Sequence, residues 1–225
     1  MRTVISAPFL WSPTHLSFIL MEKVKELAEN KGYNVSFLPG LLSTRIPFFA
    51  QLSRNEELLA IMYGGHGGED VLYGEDIILG MFNIDDVRRE RVKDRIIVAL
   101  PACHSASKLG PATIAMGAKA YVGATAPMYA AFDDPDNPYF QDWIDYHLAF
   151  YRTLLDGGTV YQAFLEYRRR GEYYANLYKE RAGFWVNADW HYMATTSNLN
   201  AVVLLGDKQA RLPPPSHHRR PLERH

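Results

Sequence analysis

One histidine and one cysteine are candidates for chemistry, because each follows an apolar segment of strand length. His66 follows residues 58–63, and Cys103 follows residues 96–100. Uninterrupted apolar runs are typical of strands that are buried on both faces of a parallel sheet. If the two strands are parallel neighbours, their carboxyl ends lie side by side, where open α/β sheets place their sites. There the imidazole could take the thiol proton and later return it to a leaving amine, which is thiol nucleophilic catalysis.

Glycines surround the histidine. Four of the five residues from 64 to 68 have no side chain. The backbone can therefore adopt positive φ and approach a substrate closely. The N–H groups of Gly67 and Cys103 could then point at an oxyanion that develops during the reaction. The two segments together predict a nucleophile, a base and an oxyanion hole at one edge of a sheet.

The two motifs are YGGHGG at 63–68 and PACHS at 101–105. They closely resemble the paired His and Cys motifs of the caspase-like (clan CD) cysteine peptidases, which include caspases, metacaspases, gingipains, clostripain and the CHAT domains. Residues 117–124 and 202–207 resemble the gingipain and CHAT branch in particular. The resemblance covers roughly residues 1–207. It depends on the order and spacing of both motifs, because a lone His-Gly-Gly is a weak signal.

This resemblance implies a caspase-like, doubly wound, mostly parallel sheet with helices on both faces, and the activity of a cysteine endopeptidase. It implies that Cys103 is the nucleophile and His66 the general acid/base. It also implies that the N–H groups of Gly67 and Cys103 form the oxyanion hole. Enzymes of this family cleave protein or peptide substrates through a thioester, work with a Cys-His dyad and need no organic cofactor. In the family, the histidine at the position of His104 is not the base.

The resemblance does not extend to substrate recognition. In metacaspases, an aspartate two residues before the nucleophile reads a basic side chain of the substrate, whereas here that position is Pro101. We therefore expect acidic recognition to be lost or moved, with Asp133 and Asp134 as the best candidates for substrate binding. Residues 133–137 partly resemble a calcium loop but lack its twelfth-position glutamate. We also expect no zinc site, because the spacing of metal-ligating residues near His66 does not fit one.

Size and composition describe an ordinary globular domain. The chain has 225 residues, 48% hydrophobic and 22% charged, with a net charge of −1. This charge gives no reason to expect nucleic acid or an anionic membrane as a partner, and nothing indicates an oligomeric state. The N-terminus lacks the apolar core of a signal peptide, and the apolar runs are too short to span a bilayer. A single cysteine excludes an internal disulfide, so we expect a cytoplasmic protein.

Strands alternating with helices predict an α/β domain whose sheet is mostly parallel and covered on both faces. The expected strands are 2–9, 34–38, 58–63, 96–100, 120–124 and 200–205. The expected helices are 13–31, 47–54, 105–116, 139–155 and 159–178. The helix at 105–116 would place its N-terminus at Cys103, where it favours a thiolate.

The remaining segments are less regular. A small hairpin within 71–79, turning at Gly74, and a polar surface helix at 83–91 should fill the spacer between the two motifs. Residues 184–197 are aromatic and are expected to be irregular. The peptidase domain should span 1–207, and the Pro-, His- and Arg-rich residues 208–225 should form a disordered tail.

Other functions fit the same residues. The chain could be a non-proteolytic caspase-like scaffold or regulatory module, although such a module would be expected to have lost Cys103 or His66. It could also be another small-molecule hydrolase on the same sheet. Cys103 by itself could be a structural thiol, since free cysteine is among the most buried residue types.

Overall fold

The computed structural model describes residues 2–7, 16–54, 58–75, 80–130, 138–184 and 187–215. Its strands are β1 (Arg2–Ala7), β2 (Asn34–Pro39), β3 (Leu58–Tyr63), β4 (Val71–Leu72), β5 (Phe82–Asn83), β6 (Ile96–Ala99), β7 (Ala120–Ala124) and β8 (Val202–Gly206). Its α-helices are α1 (Leu16–Asn30), α2 (Arg45–Arg54), α3 (Arg89–Val92), α4 (Leu109–Ala115), α5 (Pro138–Leu155), α6 (Val160–Glu180) and α7 (Ala188–Ala201). None of these helices is both long enough and apolar enough to cross a membrane.

The main sheet has the strand order β2-β1-β3-β6-β7-β8. All neighbouring strands are parallel except β7 and β8, which are antiparallel. The chain runs outward from β1 to one edge through β2 and to the other edge through β3, which is doubly wound topology. The predicted fold class is confirmed. Because β3 and β6 are parallel neighbours, with Tyr63 opposite Ala99, the residues that follow them lie at the same edge of the sheet.

Each face of the sheet is covered by helices. Along β6 and β7, alternate side chains contribute to two different apolar clusters, as the two-residue period of a strand requires. One cluster contains residues of α1, α5, α6 and α7 together with Ile96, Val98, Ala120 and Val122. The other contains residues of α2 and α4 together with Ile97, Ala99 and Tyr121. Burial on both faces explains why these strands read as unbroken apolar runs in the sequence.

The spacer between β3 and β6 differs from the prediction. The predicted hairpin is wrong in position, because β4 pairs with β5 at Phe82–Asn83. The predicted surface helix at 83–91 is also wrong, since a 3₁₀ turn at Ile84–Asp86 and the short α3 take its place. The cause is the buried carboxylate of Asp86. It accepts hydrogen bonds from the Arg45 guanidinium at 2.7 Å and from the Asn83 N–H at 3.0 Å, which fastens this segment to α2.

Most of the segment expected to be irregular, 184–197, lies in helix α7. The helix has no apolar stripe in the sequence, because its buried face includes His191, Thr195 and Asn198 beside alanines. These polar side chains are buried where a sequence pattern expects apolar ones. Residues 185–186 lie outside the described part of the chain.

The described part of the expected tail packs on the body. Leu212 is buried, the Val160 N–H donates to the Ala210 carbonyl at 2.9 Å, and the Tyr33 hydroxyl donates to the Pro213 carbonyl at 3.1 Å. Residues 208–215 thus belong to the folded body, because Leu212 and Ala210 supply apolar surface to its core. Residues 216–225 lie outside the described part, so their disorder stays a prediction.

The buried His147 of α5 should make the fold sensitive to acid. Its Nδ1 lies 2.8 Å from the Trp143 carbonyl, and burial lowers its pKa from 6.5 to about 3. The folded chain therefore keeps this imidazole neutral at pH values where the unfolded chain protonates it. The stabilising contribution is complete above about pH 6.5 and is lost as the pH falls toward 3, by up to about 1.4 kcal/mol per pH unit.

We predict that His147→Phe loses less unfolding free energy between pH 7 and pH 4 than the wild type, measured by urea denaturation. The phenylalanine ring can replace the imidazole among the rings of Trp143, Tyr146 and Tyr167, which surround His147. Phe150→Leu is the control, because it changes a buried side chain of the same helix without removing a titratable group and should leave the pH slope unchanged. Equal slopes in wild type and His147→Phe would contradict the assignment.

Candidate active site

The two sequence motifs continue side by side beyond the ends of β3 and β6. The Leu100 N–H donates to the Tyr63 carbonyl at 3.0 Å, and the Gly65 N–H donates to the Pro101 carbonyl at 2.8 Å. These bonds extend the pairing of the strands into the loops that carry His66 and Cys103. The structure thus brings the two loops together at the carboxyl edge of the sheet.

Gly67 makes the closest approach between these loops. A Cβ atom at this position would lie 2.5 Å from the Cys103 carbonyl oxygen and 3.1 Å from the Cβ of Ala102. Real Cβ atoms do not approach a backbone oxygen so closely, so only glycine fits without a shift of one loop. The glycine therefore sets the spacing between the histidine loop and the cysteine loop.

The buried hydroxyl of Tyr63 holds the backbone of His66 by a hydrogen bond. The Tyr63 hydroxyl donates to the His66 carbonyl at 2.5 Å and also lies against the carbonyl of Tyr73. The Tyr73 N–H donates to the same His66 carbonyl at 3.0 Å. Burial holds the pKa of Tyr63 well above its ordinary value, so the hydroxyl stays protonated and available as a donor. The His66 side chain itself is exposed at the edge of the sheet.

The pairing of Gly67 directs its N–H away from the strand that it faces. Gly67 lies opposite Leu72 in an isolated antiparallel bridge, and the flanking bonds run from Gly68 N–H to Val71 and from Tyr73 N–H to His66. In this pattern the N–H of the central residue points away from its partner strand. In the described part of the chain, the N–H groups of Gly67 and Cys103 donate no backbone hydrogen bond.

The sulfur of Cys103 is half-buried and has a backbone donor. The Met128 N–H donates to Sγ at 3.2 Å, and the Cys103 thiol donates to the Met128 carbonyl at 3.7 Å. Met128 belongs to the loop that follows β7. The two polar groups of Met128 thus hold the sulfur against this loop.

A buried serine fastens the cysteine turn to β7. The Ser105 hydroxyl donates to the Ala102 carbonyl at 3.0 Å and accepts from the Ala124 N–H at 3.3 Å. The Tyr121 hydroxyl donates to the Ser105 carbonyl at 2.9 Å. A Cβ atom at Gly123 would lie 2.5 Å from the Ser105 Oγ, so the turn rests directly on the backbone of the strand.

The expected helix after Cys103 begins later than predicted. Residues 103–108 form turns, and α4 starts at Leu109. The N–H groups of Lys108 and Leu109 both donate to the Glu69 carbonyl at 2.9 Å. The helix N-terminus is therefore occupied by the histidine loop rather than directed at Cys103. The expectation of a helix N-terminus at the sulfur is wrong, and the Met128 N–H is the donor in its place.

Of the other candidate residues, the structure describes His104 and Glu69. His104 has a left-handed backbone, with φ of 52°, and its N–H donates to the Ala126 carbonyl at 3.2 Å. Glu69 forms an ion pair with Lys108 at 2.7 Å, which lowers the Glu69 pKa. In the described residues, no three His, Cys, Asp or Glu side chains are grouped as metal ligands. Asp133 and Asp134 lie outside the described part of the chain.

Sequence reasoning missed the residues that hold the Met128 loop. Asn198 of α7 and Trp143 of α5 both donate to the Tyr129 carbonyl, at 2.8 Å and 3.1 Å. Their spacing along the chain gives no sign of this role, because the contacts form only when two separate helices and a loop meet. The alternating polar residues of α7 are the one trace of this role in the sequence.

The chain shares its fold with gingipain R. The crystal structure of this Arg-specific cysteine proteinase superposes with a TM-score of 0.63 over 95% of the present chain, at 12% sequence identity. The chain spans about half of the gingipain structure, covering 48% of it. At this identity the likeness shows the fold alone, and it supports the caspase-like architecture. No family model matches the sequence, and no curated protein sequence matches it significantly.

Replacing Gly67 should separate the two loops that gingipain-like topology brings together. We predict that Gly67→Ala lowers the thermal midpoint by about 2–12 °C, because overpacking against a backbone oxygen typically costs about 1–3 kcal/mol. The same variant should slow labelling of Cys103 by iodoacetamide. Labelling reports on this residue alone, since the chain has one cysteine.

Gly68→Ala is the matched control in the same loop. Its added Cβ would meet only side-chain atoms of Val71 and Tyr73, at 3.1–3.5 Å, and these can move. We expect it to have much smaller effects on both measurements. Similar effects of the two substitutions would show that the close approach at Gly67 does not constrain the site.

Proposed function

We propose that the chain is a cysteine endopeptidase that hydrolyses peptide bonds with a dyad of Cys103 and His66. The observation that carries this proposal is the contact between the two loops at Gly67, where a Cβ would lie 2.5 Å from the Cys103 carbonyl oxygen. It brings the thiol loop and the imidazole loop to one edge of the sheet. The fold shared with a cysteine proteinase supports the same reaction class.

In the acylation step, the His66 imidazole takes the proton of the Cys103 thiol, and the sulfur adds to the carbonyl carbon of the scissile peptide. The carbonyl electron pair moves to oxygen, where the N–H groups of Gly67 and Cys103 donate hydrogen bonds to the oxyanion. When the carbonyl re-forms, the C–N bond breaks. The leaving amine takes the proton from His66, and a thioester remains on the sulfur.

In the deacylation step, His66 takes a proton from water, and the resulting hydroxide adds to the thioester carbonyl. The C–S bond then breaks, the acid product leaves, and the thiolate recovers its proton from His66. The Met128 N–H at 3.2 Å from Sγ helps the sulfur to leave, since it stabilises a thiolate. Every proton and electron pair is thus returned, and no organic cofactor or metal enters the cycle.

Substrates in this proposal are proteins or peptides, and the expected compartment is the reducing cytoplasm. The groups that read the substrate side chain are proposed to be Asp133 and Asp134, on the loop after β7. Pro101 leaves no charge at the metacaspase position, and its carbonyl is bonded to the Gly65 N–H. A carboxylate that pairs with a guanidinium in two-point geometry is strong and specific.

Thiol reactivity tests the dyad. We predict that iodoacetamide labels Cys103 at pH 6.5 faster than it labels a free cysteine, and that His66→Ala slows this labelling. Cys103→Ala should abolish cleavage of a peptide library. His104→Ala is the matched control and should retain both labelling and cleavage. Equal labelling of wild type and His66→Ala would contradict the dyad, whereas fast labelling without any cleavage would indicate a non-proteolytic module.

Peptide-library cleavage tests the recognition loop. If Asp133 and Asp134 bind a basic side chain, the wild type should prefer Arg or Lys before the scissile bond. The double alanine variant should lose that preference by at least about tenfold, since a charge-assisted pair contributes more than 1.4 kcal/mol. Pro101→Asp in the double variant should restore part of it. A basic preference that survives in the double alanine variant would place the specificity pocket elsewhere.

A further inference from the structure

The loop that bears the sulfur's hydrogen-bond donor is fastened by a side chain of α7. Asn198 is 1% exposed, and its side-chain amide pairs with the backbone of Tyr129 at both ends. Its Oδ1 accepts from the Tyr129 N–H at 2.7 Å, and its Nδ2 donates to the Tyr129 carbonyl at 2.8 Å. The amide acts on this loop as a neighbouring strand would, because it bonds both polar groups of one residue.

Further contacts fix the orientation of this amide. The Nδ2 group also donates to the hydroxyl of Tyr146 at 3.0 Å. Burial holds the pKa of Tyr146 above its ordinary value, so the phenol stays neutral. The Trp143 indole N–H adds a second donor to the Tyr129 carbonyl at 3.1 Å. The amide oxygen of Asn198 must therefore face the Tyr129 N–H, since only the Nδ2 end can supply two hydrogens.

The same peptide unit reaches the sulfur. The Tyr129 N–H and the Met128 carbonyl belong to one planar peptide group. Asn198 holds the N–H end of this group, and the carbonyl end accepts from the Cys103 thiol at 3.7 Å. The Met128 N–H, on the preceding peptide, makes the shorter contact and donates to Sγ at 3.2 Å. Holding the planar group in place limits where this N–H can point.

Burying an asparagine in a helix is unfavourable unless its amide is fully bonded. Asparagine is a weak helix former, and an unsatisfied buried amide costs about 1–3 kcal/mol. All bonds of the Asn198 amide are directed at the Met128 loop and at Tyr146. An apolar side chain at this position would leave the Tyr129 N–H without this acceptor.

We propose that Asn198 is a positioning residue for Cys103, which holds the Met128 N–H on the sulfur and thereby favours the thiolate. This inference deepens the proposed function and rests on Cys103 being its nucleophile. Asn198 does not touch the reacting atoms. Its effect passes to the thiol through Tyr129 and Met128.

The test measures alkylation of Cys103 by iodoacetamide across pH 5–9 in the full chain. Asn198→Ala should slow labelling at pH 6.5 by about fivefold, the order expected for loss of one hydrogen bond to the sulfur. The pH at which labelling reaches half its maximal rate should rise. His66 and His104 on the adjoining segments and Tyr63 beneath them are unchanged in every variant. A shift in the pH profile therefore reports on the Met128 loop.

Two further variants sharpen the comparison. Asn198→Asp keeps an acceptor for the Tyr129 N–H but loses the Nδ2 donor and adds a carboxylate, whose charge opposes a thiolate, so it should also slow labelling. Asn200→Ala is the matched control, because Asn200 lies in the same helix with an exposed side chain. It should label at the wild-type rate with an unchanged pH profile.

Trp143→Phe decides the outcome if Asn198→Ala does not fold. This variant removes one N–H donor to Tyr129 while keeping an aromatic ring, and it should slow labelling by about twofold. A wild-type pH profile in every folded Asn198 and Trp143 variant would overturn the inference.

The inference and the proposed function can fail separately. If His66→Ala slows labelling and Asn198→Ala does not, the dyad stands and the positioning role of Asn198 is wrong. If Asn198→Ala slows labelling but the wild type cleaves no peptide, the positioning role stands and the peptidase proposal is wrong. Circular dichroism and thermal midpoints of each variant separate both results from unfolding.

Discussion

The contact between the backbones at Gly67 and Cys103 is the constraint on which the rest of the site depends. Parallel pairing of β3 with β6 brings the two loops to one edge, but pairing alone does not fix their separation beyond the strands. The missing side chain at Gly67 allows a distance that any other residue would prevent. The loop positions on both sides follow from this contact. His66 precedes the glycine, and the backbone of Cys103 lies directly across the contact.

Buried polar groups maintain this geometry from inside the sheet. Tyr63 beneath His66 and Tyr121 beneath Ser105 are fully buried, yet each hydroxyl donates to a backbone carbonyl of a site loop. A buried hydroxyl without a partner would cost free energy, so the two loops cannot move away without leaving these phenols unsatisfied. The apolar bodies of the same side chains belong to the core below. Packing of the sheet and placement of the loops are thus coupled through single residues.

The sequence was sufficient for the parts of the fold that depend on local patterns. The apolar runs of β3, β6 and β7 and the small-residue turns after them predicted the sheet, its mostly parallel character and the proximity of the His66 and Cys103 loops. The predicted helices at 139–155 and 159–178 correspond to α5 and α6, and Thr159 caps the start of α6, where its hydroxyl accepts from the Gln162 N–H at 3.0 Å. These signals are local, because a strand or a helix end is determined by residues within a few positions.

The prediction failed where a polar side chain is buried by a distant element. Asp86 bonds Arg45 of α2 and so forms a 3₁₀ turn where polarity indicated a surface helix. The carbonyl of Glu69 takes up the first N–H groups of α4, which delays the helix beyond the cysteine turn. In helix α7, the polar residues His191, Thr195 and Asn198 lie on the buried face. In each case the partner is distant in the sequence. Composition and periodicity therefore gave no reason to expect that these polar residues are buried or bonded.

A peptidase can differ from an inactive module of the same fold in the distant contacts that surround its cysteine. The His and Cys motifs are local, and a scaffold can carry them unchanged. The donor to the Cys103 sulfur depends instead on the pairing of Tyr129 with Asn198, which are 69 positions apart. A thiol without that donor would keep its place at the sheet edge while its thiolate lost a stabilising hydrogen bond. The place of this donor beside the sulfur therefore depends on the contact of α7 with the loop of Met128 and Tyr129, and not only on the two motifs.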